Sequence, residues 1–379
     1  MRSWIARVRT NTSLSAMPRV PPTSVRDRAP LRCVDLTIIE PRLSSAAGHF
    51  HSLASALIAE LPPGSVRVAC SPGGQAHLPS CCDAWPNLNP KLSKVGLALA
   101  MRRLAGSTSS MCVLTACDRS LVVAAAVLPK SCALTGIVHD VGWVRRNYLL
   151  RMAARLRPDL RIACFGTPVH HAVCNSGLRT VQQFEYPIDP VWRPDLVQSD
   201  SPTHLLMAGG PRSEKGFLEL ARWCLESQRG RPLPVRIHGA KPDADCSAAV
   251  RELVSCGASD ILVRSQPLTP GEFRQDFLGA IVLLLHRPAE YHGRASGLFL
   301  DAIMAGSPMI AVAGSRFARD IEQHDLGVIV ESTDPLALRR ATEQAKESWR
   351  RQIRALQEHR AKILALHSAR PLASFVANT

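Results

Sequence analysis

Two short stretches of this chain place cations at the mouth of a helix directly after an apolar strand. The first is EYHGRASGLFLDAIMAGSP, residues 290–308, preceded by the strand-like IVLLLH. Ser296 is positioned as N-cap, Gly297 leaves the backbone open to an approaching ligand, and Leu298, Leu300, Ile303 and Met304 mark the apolar face of a helix. Arg294 adds a fixed charge two residues before the cap, where free amides and the helix dipole already favour an anion. Asp301 lies one turn further in, placed for a carboxylate that takes a pair of hydroxyls such as those of a ribose. The second stretch, THLLMAGGPRSEKGF at 203–217, runs from a buried strand through a Gly-Gly-Pro turn into a helix with Arg212 and Lys215 at its entrance. The first stretch alone is also what an ordinary strand-to-helix connection with a solvent-facing Arg looks like. Two such turns in one half of the chain are what a diphosphate would need.

The turn GGPRSEKGF resembles the Arg/Lys loop of GT-B-fold glycosyltransferases, and YHGRASGLFLDAIMAGSPMIA resembles their acidic nucleotide-sugar motif with its A-x-A-G-x-P tail. The likeness is to retaining enzymes of glycosyltransferase family 4 and relatives that carry Y-x-x-R-x-S-G. It covers most of the second half well and the first half in outline. By that resemblance Arg212 and Lys215 hold the donor diphosphate, Tyr291, Arg294, Ser296 and Gly297 complete the donor site, and Asp301 replaces the carboxylate that binds the donor ribose. The family pattern has two glutamates eight positions apart; here Gly293 stands eight residues before Asp301, and Glu290 is the acid left to approach the sugar.

The resemblance implies an α/β chain of two doubly wound Rossmann-like domains facing a central cleft. It further implies transfer of a hexosyl group from a UDP- or GDP-linked sugar to the hydroxyl of a saccharide or lipid-linked acceptor, with retention at the anomeric carbon, in bacterial-type polysaccharide or glycolipid synthesis. Two other readings stay open: a catalytically impaired homologue serving as a nucleotide-binding or assembly partner, and a GT-B sugar-nucleotide epimerase or phosphorylase-type enzyme.

The elements that must position these residues follow from periodicity. From Cys33 onward CVDLTIIE, VRVAC, SMCVLTA and ALTGIVH read as strands and alternate with helical segments such as GHFHSLASALIAEL and RSLVVAAAVL, a pattern that implies a parallel sheet covered on both faces. The second half runs through THLLMAG, PVRIHGA, DILVRS, AIVLLLH, PMIAVAG and LGVIVE, and from about 335 it reads as helical to the end. The expected division is a basic leader at 1–31, a first domain for the acceptor at 32–190, a donor domain at 200–340, and a terminal helical segment at 341–379 that returns toward the first domain. Gly48, with His49 and Phe50, opens the first helix and resembles the glycine loop that faces the cleft; a plain helix start fits equally. His139 and Asp140 close the strand ALTGIVH and resemble a T-x-H-D element, so His139 contacts sugar or acceptor unless it is a structural His bonded to Asp140. His170 and His171 read as an ordinary helix start.

Composition bounds the rest. The chain has 379 residues, 46% of them hydrophobic, enough for two aliphatic cores, and no run of about 18 apolar residues that would cross a membrane. Its formal charge is +15, and the Arg-rich leader, read as poorly ordered, accounts for about six of that. Much of the remainder lies in the first half, where RRNYLLRMAARLRPDLR at 145–161 is expected to be one amphipathic helix with six Arg. Such a helix is either a solvated basic face or a contact for an anionic membrane surface. Basic and aromatic residues are not interleaved, and nucleic acid is not expected as a partner. The twelve cysteines lack zinc spacing and are expected to be reduced thiols, which places the chain in the cytoplasm, with the inner face of a membrane as the alternative to free solution. The triplet Asp243-Ala-Asp245 resembles a metal-binding DxD but reads as chance, so no obligatory metal or other cofactor is expected.

Overall fold

The computed structural model describes residues 36–44, 49–80, 83–85, 94–116, 119–139, 148–175, 177–188, 199–226, 231–291 and 296–377. The leader, Gly48, Asp140, Arg294 and residues 189–198, where the two expected domains meet, lie outside the described residues. The first half contains β1 Leu36–Glu40, α1 His49–Ala59, β2 Val66–Cys70, β3 Asp83–Trp85, α2 Lys94–Ala105, β4 Ser110–Val113, α3 Arg119–Val127, β5 Ala133–Val138, α4 Tyr148–Leu156, β6 Arg161–Phe165, α5 Thr167–Cys174 and β7 Thr180–Phe184. The second half continues with β8 His204–Met207, α6 Phe217–Glu226, β9 Val235–His238, α7 Ser247–Ser255, β10 Ile261–Arg264, α8 Pro270–Phe277, β11 Ala280–Leu284, the one-turn α9 Pro288–Tyr291, α10 Gly297–Ala305, β12 Met309–Val312, α11 Arg316–Gln323 and β13 Gly327–Val330. Three helices close the chain: α12 Pro335–Glu347, α13 Trp349–Leu366 and α14 Arg370–Ala377.

All strand pairs are parallel, in two sheets of order β3-β2-β1-β4-β5-β6-β7 and β10-β9-β8-β11-β12-β13. In each, the strand order first steps one way and then the other, so right-handed crossovers put helices on both faces. Strands buried on both faces read as continuous apolar runs, and HLLM and AIVLL are fully buried. Their side chains alternate between two cores: Leu205, Ile281 and Leu283 join Phe217 and Leu253 on one face, while Leu206, Val282 and Leu284 join Leu300 and Ile303 on the other.

In the first sheet α2, α3, α4 and α5 cover one face through Met101, Leu121, Leu150 and Val169. The opposite face is covered by α1 together with the last helices of the chain, and its core, containing Leu53, Leu57, Leu356, Ile363 and Leu372, runs without a break into that of α10. Phe375 on α14 meets Phe184 of β7 at 5.2 Å between ring centroids, with the Arg161 guanidinium 4.1 Å above its ring. His367 donates from Nδ1 to the Tyr186 carbonyl at 2.7 Å, and its own carbonyl accepts the Ile188 amide. The strand leaving the first sheet is thereby bound to the C-terminal helices.

The Arg-rich segment corrects the sequence reading. Among the described residues the helix is α4, which ends at Leu156; Arg157 lies beyond it, buried, donating to the carbonyls of Leu128, Lys130 and Cys132 and paired with Asp159. Arg161, the last residue of the expected helix, instead opens β6. The short β3, α2 and the edge strand β7 were also unread in the sequence, because β3 has three residues and β7, TVQQF, carries polar side chains on a half-exposed edge. The thiols of Cys70, Cys112, Cys132 and Cys164 are free and buried, as apolar strand positions require.

Phe375 is buried against a core that the first sheet shares with the chain's end, so Phe375→Ala is expected to lower unfolding free energy by about 3 kcal/mol in urea titration, and a loss under about 1 kcal/mol would show that the terminal helix is dispensable to this core.

Candidate functional site

In the second sheet the strand order reverses between β8 and β11, and the two cationic turns singled out in the sequence are the segments that leave the carboxyl ends of these two neighbours. After β8 the chain turns at Gly209, with φ 76°, passes Pro211, and enters a 3-10 turn at Ser213–Lys215 that ends at Gly216, with φ 74°. A Cβ on Gly216 would lie 2.2 Å from the Leu285 carbonyl oxygen, so this turn and the exit of β11 approach as closely as only glycine allows. The Arg287 amide donates to the Glu214 carbonyl at 2.9 Å, and its guanidinium pairs with Glu219 at 3.0 Å, which locks the two segments together.

A buried ion cluster holds Gly209. Asp276 on α8 is fully buried and pairs with Arg264 at 2.7 Å, Arg236 at 3.2 Å and His238 Nε2 at 3.1 Å. Burial pushes its carboxyl up, but the hydrogen bonds from His238 and Arg264 and the Arg264 charge outweigh this and bring the pKa down to about 2. His238 Nδ1 accepts the Gly209 amide at 3.3 Å, so the ring carries its proton on Nε2, facing the carboxylate.

Asp243 holds the next residues: Oδ2 accepts the Ser213 amide at 3.0 Å, Oδ1 accepts the Cys246 amide at 2.9 Å, and its own amide donates to Pro211. A hydrogen bond from the Cys246 thiol, and then these amides and the Arg212 charge, keep its carboxyl below the usual range against the cost of burial. The DxD triplet, distant from the cationic turns in sequence, is therefore adjacent to the first of them in space. Its leading carboxylate is engaged by backbone amides, and among the described residues no three metal-binding side chains converge.

The sequence-predicted residues of the second half divide in two. Lys215, Ser296 and Gly297 come together: a Cβ on Gly209 would meet Lys215 Nζ at 3.0 Å and Leu298 Cδ1 at 3.4 Å, so the ammonium, the glycine backbone and the first turn of α10 share one place. Ser296 caps α10 by accepting the Phe299 amide at 3.4 Å, and around Gly297 an added Cβ would meet nothing within 4 Å. Arg212 is half-buried at the start of the 3-10 turn, and Asp301 is half-buried one turn into α10. Tyr291, by contrast, is buried with its ring 4.1 Å from that of His286, and Glu290 is exposed on the same single turn. His286, at the end of β11 and against Phe317, went unmarked in the sequence, where it reads as the close of an apolar strand.

In the first half His139 follows β5 and donates from Nε2 to the Leu114 carbonyl at 2.8 Å, its ring 5.2 Å from Phe165 and 6.4 Å from Tyr186. Leu114 and Thr115 leave β4, the strand on the far side of that sheet's reversal from β1, and the Thr115 hydroxyl bonds the fully buried Glu40 carboxylate at the end of β1. His170 and His171 lie on α5, as an ordinary helix start requires. Arg316, first residue of α11, reaches from the carboxyl end of β12 to that of β6. It pairs with Glu185 at 3.3 Å, and a Cβ on Gly166 would meet its Nη1 at 2.3 Å. The carboxyl ends of the two sheets thus face one another across a cleft.

Solved structures share this arrangement. HepE of Anabaena, crystallised with UDP and glucose, superposes with a TM-score of 0.62 at 14% identity over 90% of this chain and 95% of that one. WaaG, a glycosyltransferase of lipopolysaccharide biosynthesis, gives 0.62 at 12% identity over 91% and 100%. Sucrose-phosphate synthase of Thermosynechococcus elongatus gives 0.58 at 14% over 90% and 97%. No protein-family model matches the sequence, and no curated protein does. At these identities the likeness establishes the fold, which is GT-B.

The Asp276 cluster has a pH signature. Its folded pKa lies below the ordinary carboxylate value of 3.8, so its contribution is complete above that value and is lost as pH falls toward about 2. Unfolding free energy measured from pH 6 to pH 2 is expected to fall by about 2 kcal/mol through this group. In Asp276→Asn that part of the acid slope should vanish while stability at pH 7 drops by about 3 kcal/mol, since Arg236 and Arg264 lose their counter-charge. An unchanged acid slope in the variant would place the titration elsewhere.

Proposed function

We propose that this protein is a glycosyltransferase that moves a hexosyl group from a nucleoside diphosphate sugar to an acceptor hydroxyl. The observation that carries the reading is the meeting of Lys215, the Gly209 backbone and the open first turn of α10 at the reversal point of the second sheet. Backbone amides without a side chain in the way, a helix N-terminus and an ammonium are the groups that receive a diphosphate and stabilise the charge that develops on it as it leaves. Arg212 stands at the entrance of the same turn, and Asp301, one turn into α10, is the carboxylate for the ribose hydroxyls.

HepE was crystallised with UDP and with UDP-glucose, which supports a uridine nucleotide as the first donor to try, ahead of a guanosine one. The sugar and acceptor are received from the first half. His139, its Nε2 proton committed to the Leu114 carbonyl, stands at the carboxyl end of β5 on the cleft side. The reading extends to retention at the anomeric carbon, as in family 4, to an acceptor that is a saccharide or a lipid-linked saccharide, to a diphosphate held without an obligatory metal, and to a cytoplasmic site of action. Glu290, exposed on α9, is the acid left to approach the sugar, and Gly293 in place of the family's first glutamate favours, as second reading, a nucleotide-binding homologue without transfer activity.

Calorimetry with UDP, GDP and ADP, in EDTA and then with Mg²⁺, tests the site. Selective micromolar binding in EDTA, weakened at least about a hundredfold by Arg212→Ala/Lys215→Ala, is expected; no binding of any nucleotide would sink the reading. Gly297→Val is expected to leave the thermal midpoint within a few degrees of the parent, because space around the glycine is open, while abolishing nucleotide binding. Nucleotide binding with no donor-sugar hydrolysis or transfer would select the second reading.

A further inference from the structure

The layer formed by α2, α3 and α4 on the outer side of the first sheet contains no Asp or Glu in any of its three helices, and six Lys or Arg. α3 lies between and packs against both neighbours. On α4 the residues Tyr148, Met152 and Leu156, four apart, are 71%, 37% and 49% exposed. At about 100° per residue they form one stripe, and Arg151 and Arg155, also exposed, form a second stripe directly beside it. The inward side of the helix is Leu150 and Ala153. On α2 the arrangement recurs: Val95 and Leu99, four apart, are 68% and 57% exposed, with Arg102 and Arg103 exposed on the next turn. Half of the chain's large exposed hydrophobic side chains among the described residues therefore stand on two helices of a single acid-free layer. Single exposed apolar residues are ordinary, whereas apolar stripes repeated on neighbouring helices and edged by cations suit a surface that is oily beneath an anionic skin.

We infer that the outer face of α2 and α4 docks on an anionic phospholipid bilayer, with Tyr148, Met152, Leu156, Val95 and Leu99 entering the headgroup boundary and Arg151, Arg155, Arg102 and Arg103 contacting lipid phosphates. Arg157 and Arg161 take no part: the first is buried in carbonyl contacts and the second lies over Phe375. Among the described residues no helix is long and apolar enough to cross a membrane, so attachment is to one leaflet. The inference is independent of the donor chemistry, because no residue of the docking face belongs to the nucleotide site.

Sedimentation of the full chain with vesicles of phosphatidylcholine, alone and with phosphatidylglycerol, tests it. Binding is expected only to the anionic vesicles and is released by about 0.5 M salt. Arg151→Glu/Arg155→Glu and, separately, Tyr148→Ser/Met152→Ser/Leu156→Ser are each expected to weaken partition about tenfold or more, with thermal midpoint and nucleotide affinity as in the parent. Val95→Ser/Leu99→Ser supplies the same test on α2 should an α4 variant fail to fold. The control is Arg339→Glu/Arg340→Glu on α12, which makes the same change of net charge at exposed positions elsewhere and is expected to bind as the parent does. Equal binding to neutral vesicles, absence of binding, an equal loss in the control, binding that survives every α2 and α4 variant, or capture by RNA without partition into vesicles would each overturn the docking face.

Discussion

A carboxylate removed from water must be answered by positive groups at contact distance, and the second half of this protein is arranged around one such group. Asp276 is supplied by α8, while its partners come from β9 and β10: Arg236, His238 and Arg264. Meeting the charge fixes the hydrogen-bonding sense of His238, because the ring presents its proton to the acid and is left with a lone pair on the other side. That lone pair takes the Gly209 amide, and the first bend of the loop after β8 is set. A second carboxylate, Asp243, secures the following residues through their amides. The backbone of the loop is thus held by side chains from segments that follow β9 and by β9 itself. Preorganisation of this kind matters in a site built for a highly charged ligand, since the donors are oriented before the ligand arrives.

The sheets were legible because parallel strands buried on both sides are continuous apolar words. THLLMAG, AIVLLLH and PMIAVAG announce themselves, and so do the glycine-bearing turns that follow them. Short or edge strands were not, since DAW and TVQQF lack that signature. The helix that seemed to span 145–161 failed for a different reason: Arg is read as surface, yet Arg157 is an internal cross-brace for three carbonyls. Within the site, helix-entrance residues such as Lys215, Ser296 and Gly297 could be found from spacing. His238, Asp276 and Asp243 could not, because His238 and Asp243 hold loop amides 29 and 30 residues away and Asp276 acts through His238, and pairing across that distance leaves no local pattern.

The two sheets are joined by more than the chain passing between them. Arg316 crosses from one carboxyl edge to the other and needs Gly166 to have no side chain, while the C-terminal helices contribute to a core continuous with both halves. Cleft geometry is therefore controlled on two sides, by a polar contact at the mouth and by apolar packing at the back. Motion that opens the mouth must break a half-exposed ion pair, which costs little. Motion that separates the back would expose aliphatic surface, which costs much more.

The position of Phe375 bears on how the molecule is made. One face of the first sheet is completed by α13 and α14, so the half that is synthesised first cannot finish its own core until the second half has also been made. The usual order, in which an N-terminal domain folds while the next is still emerging, is not open to it. Until α13 and α14 have been made the α1 side of the nascent sheet stays uncovered, and completion of the first half waits on them.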